Sequence, residues 1–187
     1  MDERERIVDF LHEAGMLARS ARTGFAQLGE YTQSVAEHVH RTAVIGMSLA
    51  WTAGKDAVRV AQLCLVHDLP EARTLDLHHL AKRYVRVDEE AAVADMTRGL
   101  AFGGRVRELI AEYVACESEE SVLAHDADQL ELLLCLRELV EMGNTRAGSW
   151  VARAEARLRT ETARAWAETV REAPGDRWWK APGDGLD

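Results

Sequence analysis

The 187-residue chain has the size of one domain, and at that length roughly 70% of the unfolded surface can be buried, so no disulfide staple is required. A formal charge of -9 excludes a general nucleic-acid binder, whose affinity comes from clustered cations on phosphates. Ala, Leu, Glu, Arg and Val dominate and β-branched alternation is almost absent, which predicts an all-α fold.

Cys64, Cys116 and Cys135 are odd in number, far apart and outside any CxxC pair. They read as small buried hydrophobes in a reducing cytoplasm rather than as disulfides or a zinc knuckle. The first residues, Met1 to Arg6, are charged, and no apolar run approaches about 18 residues, so neither a signal peptide nor a membrane span is expected.

Ile7, Phe10, Leu11, Ala14 and Leu17 recur at helical spacing and predict a first amphipathic helix over Glu3 to Ala18. The stretch from Arg19 to Thr32, with Gly24 and Gly29, should be irregular, and it carries Arg22-Thr23-Gly24-Phe25. Ser34 followed by Glu37 has the capping-box spacing, and Val35, Val39, Thr42, Gly46 and Leu49 mark the inner face of a second helix that Gly54 closes. His38 lies on that stripe.

A third helix runs from about Asp56 to His67, and Pro70 discourages its continuation. Residues 73–86 should be a loop with short helical turns, containing Asp76, His78, His79 and Lys82. A fourth helix over Asp88 to Leu100 is broken by Gly103-Gly104, and Val106, Leu109, Ile110, Tyr113 and Val114 define a fifth. The sixth, Ser121 to Met142, is strongly apolar through Leu130, Leu133, Leu134 and Leu136, and stops at Gly143-Asn144. A last helix over Ser149 to Glu172 has alternating Arg and Glu with Leu158 and Trp166 as its sparse apolar stripe. The expectation is one bundle of about six to seven helices over residues 1–173, with 174–187 as a tail whose Trp178-Trp179 pair packs on the domain or on a second subunit.

Chemistry concentrates in Leu63 to Glu71, an apolar run ending in His67-Asp68-Leu69-Pro70-Glu71. An imidazole and a carboxylate placed after buried-type residues are costly to desolvate unless something compensates them, and a divalent cation does so directly. His38 upstream and Asp128 downstream complete a set of two imidazoles and two carboxylates from three helices. Taken alone, a histidine on an apolar face reads more often as a satisfied core residue, and Asp126 rivals Asp128. Two residues of helix separate that pair by about 200°, so only one can face a given point.

The ordered set His38, His67-Asp68, Asp128 resembles the H...HD...D pattern of the HD-domain metal-dependent phosphohydrolases. Ser34 to His38, His67 to Glu71, Asp76 with Lys82, Glu112-Tyr113 and Asp128-Gln129-Leu130-Glu131 look like the 5'-deoxynucleotidase branch, over residues 22–144. The resemblance implies an all-α HD-type bundle with one divalent ion in its core, held by His38, His67, Asp68 and Asp128. It implies Glu71 as the carboxylate that orients or deprotonates the attacking water, and Asp76 as a second catalytic acid that contacts the substrate. Arg22 with Phe25 approximates a substrate-binding Arg and Trp pair, and Lys82 joins Arg22 as a phosphate-binding candidate.

Two residues depart from the pattern: Phe25 stands where the branch usually has Trp, and Leu75 replaces the usual Gly before Asp76. A mixed nitrogen and oxygen shell favours Mn²⁺, Co²⁺, Fe²⁺ or Ni²⁺ over Ca²⁺, with Mg²⁺ and Zn²⁺ also admitted. Glu37 and Glu131 read either as outer partners of the ligands or as a cap and a surface charge. His78, His79 and His125 have no regular spacing that calls for a second metal. The substrate implied is a nucleoside 5'-monophosphate, with a cyclic, polyphosphate or specialised-metabolite nucleotide, or a non-catalytic nucleotide sensor, as alternatives. No nucleic-acid or membrane partner is expected, and dimers are usual in that branch.

Overall fold

Ser34 and Glu37 form the reciprocal cap their spacing predicts: the Ser34 hydroxyl accepts from Glu37 N at 3.2 Å while the Glu37 carboxylate accepts from Ser34 N at 2.6 Å. This starts α2 (Val35–Ala53), which Gly54 ends in the left-handed conformation. The computed structural model describes residues 2–29, 33–178 and 180. Among them the helices are α1 (Glu3–Gly15), α2, α3 (Ala57–Val66), the single turn α4 (Glu71–Thr74), α5 (Glu89–Met96), α6 (Gly103–Ala115), α7 (Glu119–Glu141), α8 (Gly148–Glu155) and α9 (Glu161–Glu172). No strand occurs among the described residues, and no described helix is long and apolar enough to cross a membrane.

The core forms where α2, α3 and α7 pack on one another, with α6, α8 and α9 closing around α3 and α7. Leu49, Val60, Leu63, Leu130, Leu133 and Leu136 are fully buried there. Gly46 permits the close crossing of α2 and α3: an added Cβ would lie 2.7 Å from Cys64 Sγ and 2.9 Å from Val60 Cγ1. That approach brings the start of α2 near the end of α3, which is where His38 and His67 meet. A smaller cluster of Leu17, Val35, Val39, Leu69 and Met96 lies under α1 and α5.

Several boundaries differ from the sequence expectation. The first helix stops at Gly15 and continues as a 3-10 turn, Met16–Ala18, and the segment expected to be irregular contains a second, Thr23–Leu28. Gly103 and Gly104 begin α6 rather than break a helix, because Gly103 sits directly against the Thr97 carbonyl, where no side chain fits. The sixth predicted helix starts earlier, at Glu119, with Ser118 as its cap.

The single helix expected over Ser149 to Glu172 is two. Thr160 caps α9, and the fully buried Asp126 carboxylate accepts from Arg159 N at 2.7 Å and Thr160 N at 2.8 Å. Those two amide groups belong to an inter-helix turn that a local pattern of Arg and Glu does not mark. In the tail, Gly175 N donates to the Glu141 carboxylate at 3.0 Å, while Trp178 is largely exposed. Trp179 and Pro182-Gly183 lie outside the described residues.

Candidate metal and substrate site

Each ligand candidate is delivered by a different piece of local structure. His38 sits one turn into the capped start of α2, on the same inward face as Val35, Val39 and Thr42, and is fully buried. His67 and Asp68 follow the last turn of α3, where Pro70 and the single turn α4 redirect the chain. Asp128 projects from the middle of α7. His38 Nε2 lies 3.2 Å from Asp128 Oδ1 and 3.5 Å from Asp68 Oδ2, and His67 Nε2 lies 3.2 Å from Asp68 Oδ2. Donor atoms of His38, His67 and Asp128 all fall within 4.8 Å of one another.

The arrangement fits a divalent cation on the chemistry of its donors. His38 Nδ1 is engaged by Glu131 Oε2 at 2.6 Å and His67 Nδ1 by the Cys64 carbonyl at 2.7 Å. Both imidazoles therefore spend their Nδ1–H outward and present Nε2 inward, and both Nε2 atoms are buried without a hydrogen-bond partner. Glu131 is a buried orienting group rather than a surface charge. Burial opposes its ionisation, but His38, Arg41 and Gln33 hold its pKa down to about 2. Glu37 is the α2 cap. Gln129 Nε2 donates to Asp128 Oδ2 at 2.8 Å, fixing the carboxylate that faces His38.

Asp126 faces the other side of α7 and is consumed by the α9 cap, which decides between the two aspartates by geometry. A stack of rings supports His67: Tyr113 lies 4.8 Å from its centroid, and His125 stacks on Tyr113 at 4.0 Å. His78 Nδ1 meets Gln27 Nε2 at 3.1 Å. Among the described residues His78, His79 and His125 form no second metal-ligating group.

The electrostatics follow from packing opposite charges under low exposure. Burial works to lower the His67 pKa, but Asp68 and Asp128 outweigh it and carry it up to about 9. His38 is raised in the same sense by Asp128 and Glu131 against its burial. Asp128 is held far below the ordinary carboxylate range by His38, Arg22 and His67.

A cation must displace the protons on these imidazoles, so its apparent affinity should climb as they are titrated. Between pH 6 and 8 an increase of at least ~10²-fold is expected, flattening once pH passes the His67 value. Calorimetric titration of the metal-free protein with Mn²⁺ in buffers of different ionisation enthalpy measures both the affinity and the protons released. A pH-independent affinity with no proton release would contradict the assignment.

Glu71, on α4, has its Oε2 buried and unpartnered. Burial, with Asp68 and Asp76 nearby, pushes its pKa up to about 8. Arg22 stands between the ligand cluster and an adjoining cavity, with Nη1 3.8 Å from Asp68 Oδ2. Its position comes from a short antiparallel pairing in which Arg22 N donates to Gln33 O at 2.9 Å and Val35 N to Ser20 O at 2.8 Å. The cavity, about 310 Å³, is lined by Arg22, Phe25, Asp76 and Lys82, as well as by Trp150 and Arg153. Phe25 is mainly a core residue, 6% exposed, that shows one side to it.

Asp76 Oδ2 accepts from Thr23 N at 2.8 Å, and the Thr23 hydroxyl donates to the Asp76 carbonyl at 2.7 Å, so the Arg22 and Asp76 loops are tied together. Leu75 precedes this tie at φ 63° and ψ 155°, a conformation that glycine adopts without strain and other residues do not. Its side chain is 59% exposed, so little burial is lost on removal. Leu75→Gly should therefore raise stability by about 1 kcal/mol, read as a higher urea midpoint at unchanged slope. A lower midpoint would show that the leucine contributes packing the geometry does not reveal.

Nothing in the sequence marks Trp150, Arg153 or Arg157. They lie on α8 and the turn after it, one helical turn apart, and looked like members of a solvated helix face. Arg41 and Gln33, the other partners of Glu131, were missed because their contact is with a residue about 90 or more positions away.

Comparison with known proteins agrees with this geometry. The HD domain family matches residues 14–170. A curated relative, 5'-deoxynucleotidase HDDC2 of Dictyostelium discoideum, is 30% identical over 140 residues, 68% of this chain and 74% of the relative. A conserved hypothetical protein from Pyrococcus furiosus superposes with a TM-score of 0.75 at 27% identity, over 89% of this chain and 99% of the other. A predicted metal-dependent phosphohydrolase from Magnetospirillum magnetotacticum shares the fold, with a TM-score of 0.71 at 22% identity over 90% and 93% of the two chains. With its ordered histidines and aspartates converging between α2, α3 and α7, the chain belongs to the HD-domain metal-dependent phosphohydrolases.

Proposed function

We propose that the protein is a metal-dependent phosphomonoesterase that hydrolyses nucleoside 5'-monophosphates, 5'-deoxyribonucleotides first among them, to nucleoside and phosphate. The observation that carries this reading is the junction at Arg22. On one side are two unpartnered imidazole Nε2 atoms with two aspartates, and on the other a cationic and aromatic cavity of mononucleotide scale. The 30% identity to a 5'-deoxynucleotidase supports the substrate class.

His38, His67, Asp68 and Asp128 would hold the divalent ion, with Mn²⁺, Co²⁺, Fe²⁺ or Ni²⁺ best matched to the donors. When bound, the ion supplies Lewis acidity at the phosphoryl oxygen and lowers the pKa of the attacking water. Arg22 binds a non-bridging phosphate oxygen, its fork already aimed at the cluster, and Lys82 adds a second positive charge. Glu71 Oε2 takes the proton of the water as the new P–O bond forms. The 5'-oxygen leaves on the opposite side of phosphorus and takes its proton from solvent, while Glu71 returns the proton it accepted to bulk water.

Thr23 N–H occupies one oxygen of Asp76, and the other is left to accept from a sugar hydroxyl. The nucleobase lies along Phe25 and Trp150, with His79 edge-on to Trp150 at 6.4 Å. Free thiols at Cys64, Cys116 and Cys135 suit a reducing cytoplasm, and a homodimer is the assembly usual in the branch.

The test is phosphate release from a panel of ribo- and deoxyribonucleoside 5'-monophosphates with Mn²⁺ or Co²⁺, with and without chelator. Chelator-sensitive release, fastest on deoxyribonucleotides, is expected. Release that ignores the chelator, or none from any monophosphate, would remove the proposal.

A further inference from the structure

The cavity beyond Arg22 holds more positive charge than one phosphate needs. Four cations line it, Arg22, Lys82, Arg153 and Arg157, against the single carboxylate of Asp76, in a chain whose formal charge is -9. Arg22, whose Nη1 lies 3.8 Å from Asp68 Oδ2, and Lys82 serve the phosphate that is hydrolysed. Two guanidinium groups on the α8 wall are left over.

Neither is neutralised by an acidic neighbour. Arg153 is exposed and its side chain makes no hydrogen bond or ion pair among the described residues. Arg157 Nη1 meets only the neutral amide oxygen of Gln129, at 3.4 Å, and Gln129 in turn holds Asp128. Exposed arginines one turn apart on the rim of this cavity, with no acid to neutralise them, make a forked recognition surface suited to a phosphate dianion. Trp150, half-buried on the same helix, lies 3.8 Å from where a Cβ on Gly24 would be, so the ring joins the Arg22 loop to the arginine wall.

We infer that Arg153 and Arg157 bind a second phosphate group on the substrate, beyond the one that is hydrolysed, so that a nucleotide with two phosphates is preferred over the monophosphate. This rests on the phosphomonoesterase reading and deepens it. The second phosphate has two chemical sources: an ester on the sugar, which presents a dianion to the wall while the P–O5' bond breaks, or the inner phosphate of a 5'-diphosphate, which presents a monoanion while the terminal phosphate is hydrolysed and the nucleoside monophosphate leaves.

The experiment compares kcat/KM for a deoxynucleoside 5'-monophosphate, its 3',5'-bisphosphate and its 5'-diphosphate, with Mn²⁺ present. A gain of about tenfold for at least one doubly phosphorylated substrate is expected, shrinking as salt is raised. In Arg153→Glu the ratio should fall below one, and in Arg153→Lys most of it should remain. The substrate that shows the gain identifies the source. Because the readout is a ratio of substrates on one protein, partial loss of folded enzyme does not move it.

Equal kcat/KM for all three substrates, or a gain that Arg153→Glu leaves intact, would overturn the second-phosphate site while leaving the phosphomonoesterase in place. Failure to turn over any of the three with metal would sink both.

Discussion

Asp128→Ala is expected to abolish metal-dependent turnover and the rise in melting temperature on adding Mn²⁺. The same change at Asp126 should lower stability by about 3 kcal/mol and leave metal binding in place. The two residues are nearly adjacent in sequence and do unrelated work. Asp128 offers its Oδ1 to the space between the imidazoles, 3.2 Å from His38 Nε2, and its other oxygen is fixed by Gln129. In the proposed set of four ligands, removing it takes away a negative donor and would leave a bound cation under-compensated.

Asp126 is 0% exposed and takes three donors, Arg159 N–H, Thr160 N–H and the Thr160 hydroxyl. Its loss strands those donors at the start of α9, and an unmade bond to a buried group costs more than the made bond contributes. Denaturation of each variant with and without Mn²⁺ separates the roles. Loss of the metal-induced shift in Asp126→Ala, or its survival in Asp128→Ala, would reverse the assignment.

This pair also shows where sequence reasoning reaches and where it stops. Helical periodicity placed the two aspartates on different faces, and the resemblance around Gln129 and Glu131 favoured Asp128 as the inward one. What Asp126 does instead was illegible, since its partners lie 33 and 34 residues away in a turn that exists only because of that contact. Ser34 with Glu37, and Gly54, are legible because caps are local, set within three or four residues.

Gly103 misleads for the opposite reason. Its requirement is steric contact with the Thr97 carbonyl, and a glycine chosen for space looks in sequence like one chosen for a break. The α8 wall escaped notice because arginines at helical spacing are usually solvated, and only the Arg22 loop opposite turns that face into a cavity. Local chemistry was readable, and so was the ordered set of donors. The groups that orient the donors, Glu131 through Arg41 and Gln33, required the tertiary contact between α2 and α7.

Glu71→Gln is expected to lower kcat by about 10²- to 10⁴-fold while the bound metal stays at the wild-type level. The amide keeps the size of the carboxyl but cannot take a proton, so the substitution isolates proton transfer from packing. Glu71 suits that transfer because burial, then Asp68 and Asp76, push its pKa up to about 8, well above the usual carboxylate range and close to neutral pH. Arg22 and His67 act in the other direction, and a cation at the ligand cluster adds to them.

Since the carboxylate is the form that accepts a proton, wild-type kcat should fall on the acid side of this pKa and level off above it. The limb in the metal-loaded enzyme should lie below pH 8 because the added positive charge favours ionisation. The residual activity of Glu71→Gln should lack that limb, since no group with this pKa remains to be protonated. Metal content by elemental analysis and kcat from pH 5 to 9 provide the check. A variant that keeps both its metal and its turnover, or one that retains the acid limb unchanged, would show that the proton goes elsewhere, leaving Glu71 as a buried acid beside the centre rather than a participant in it.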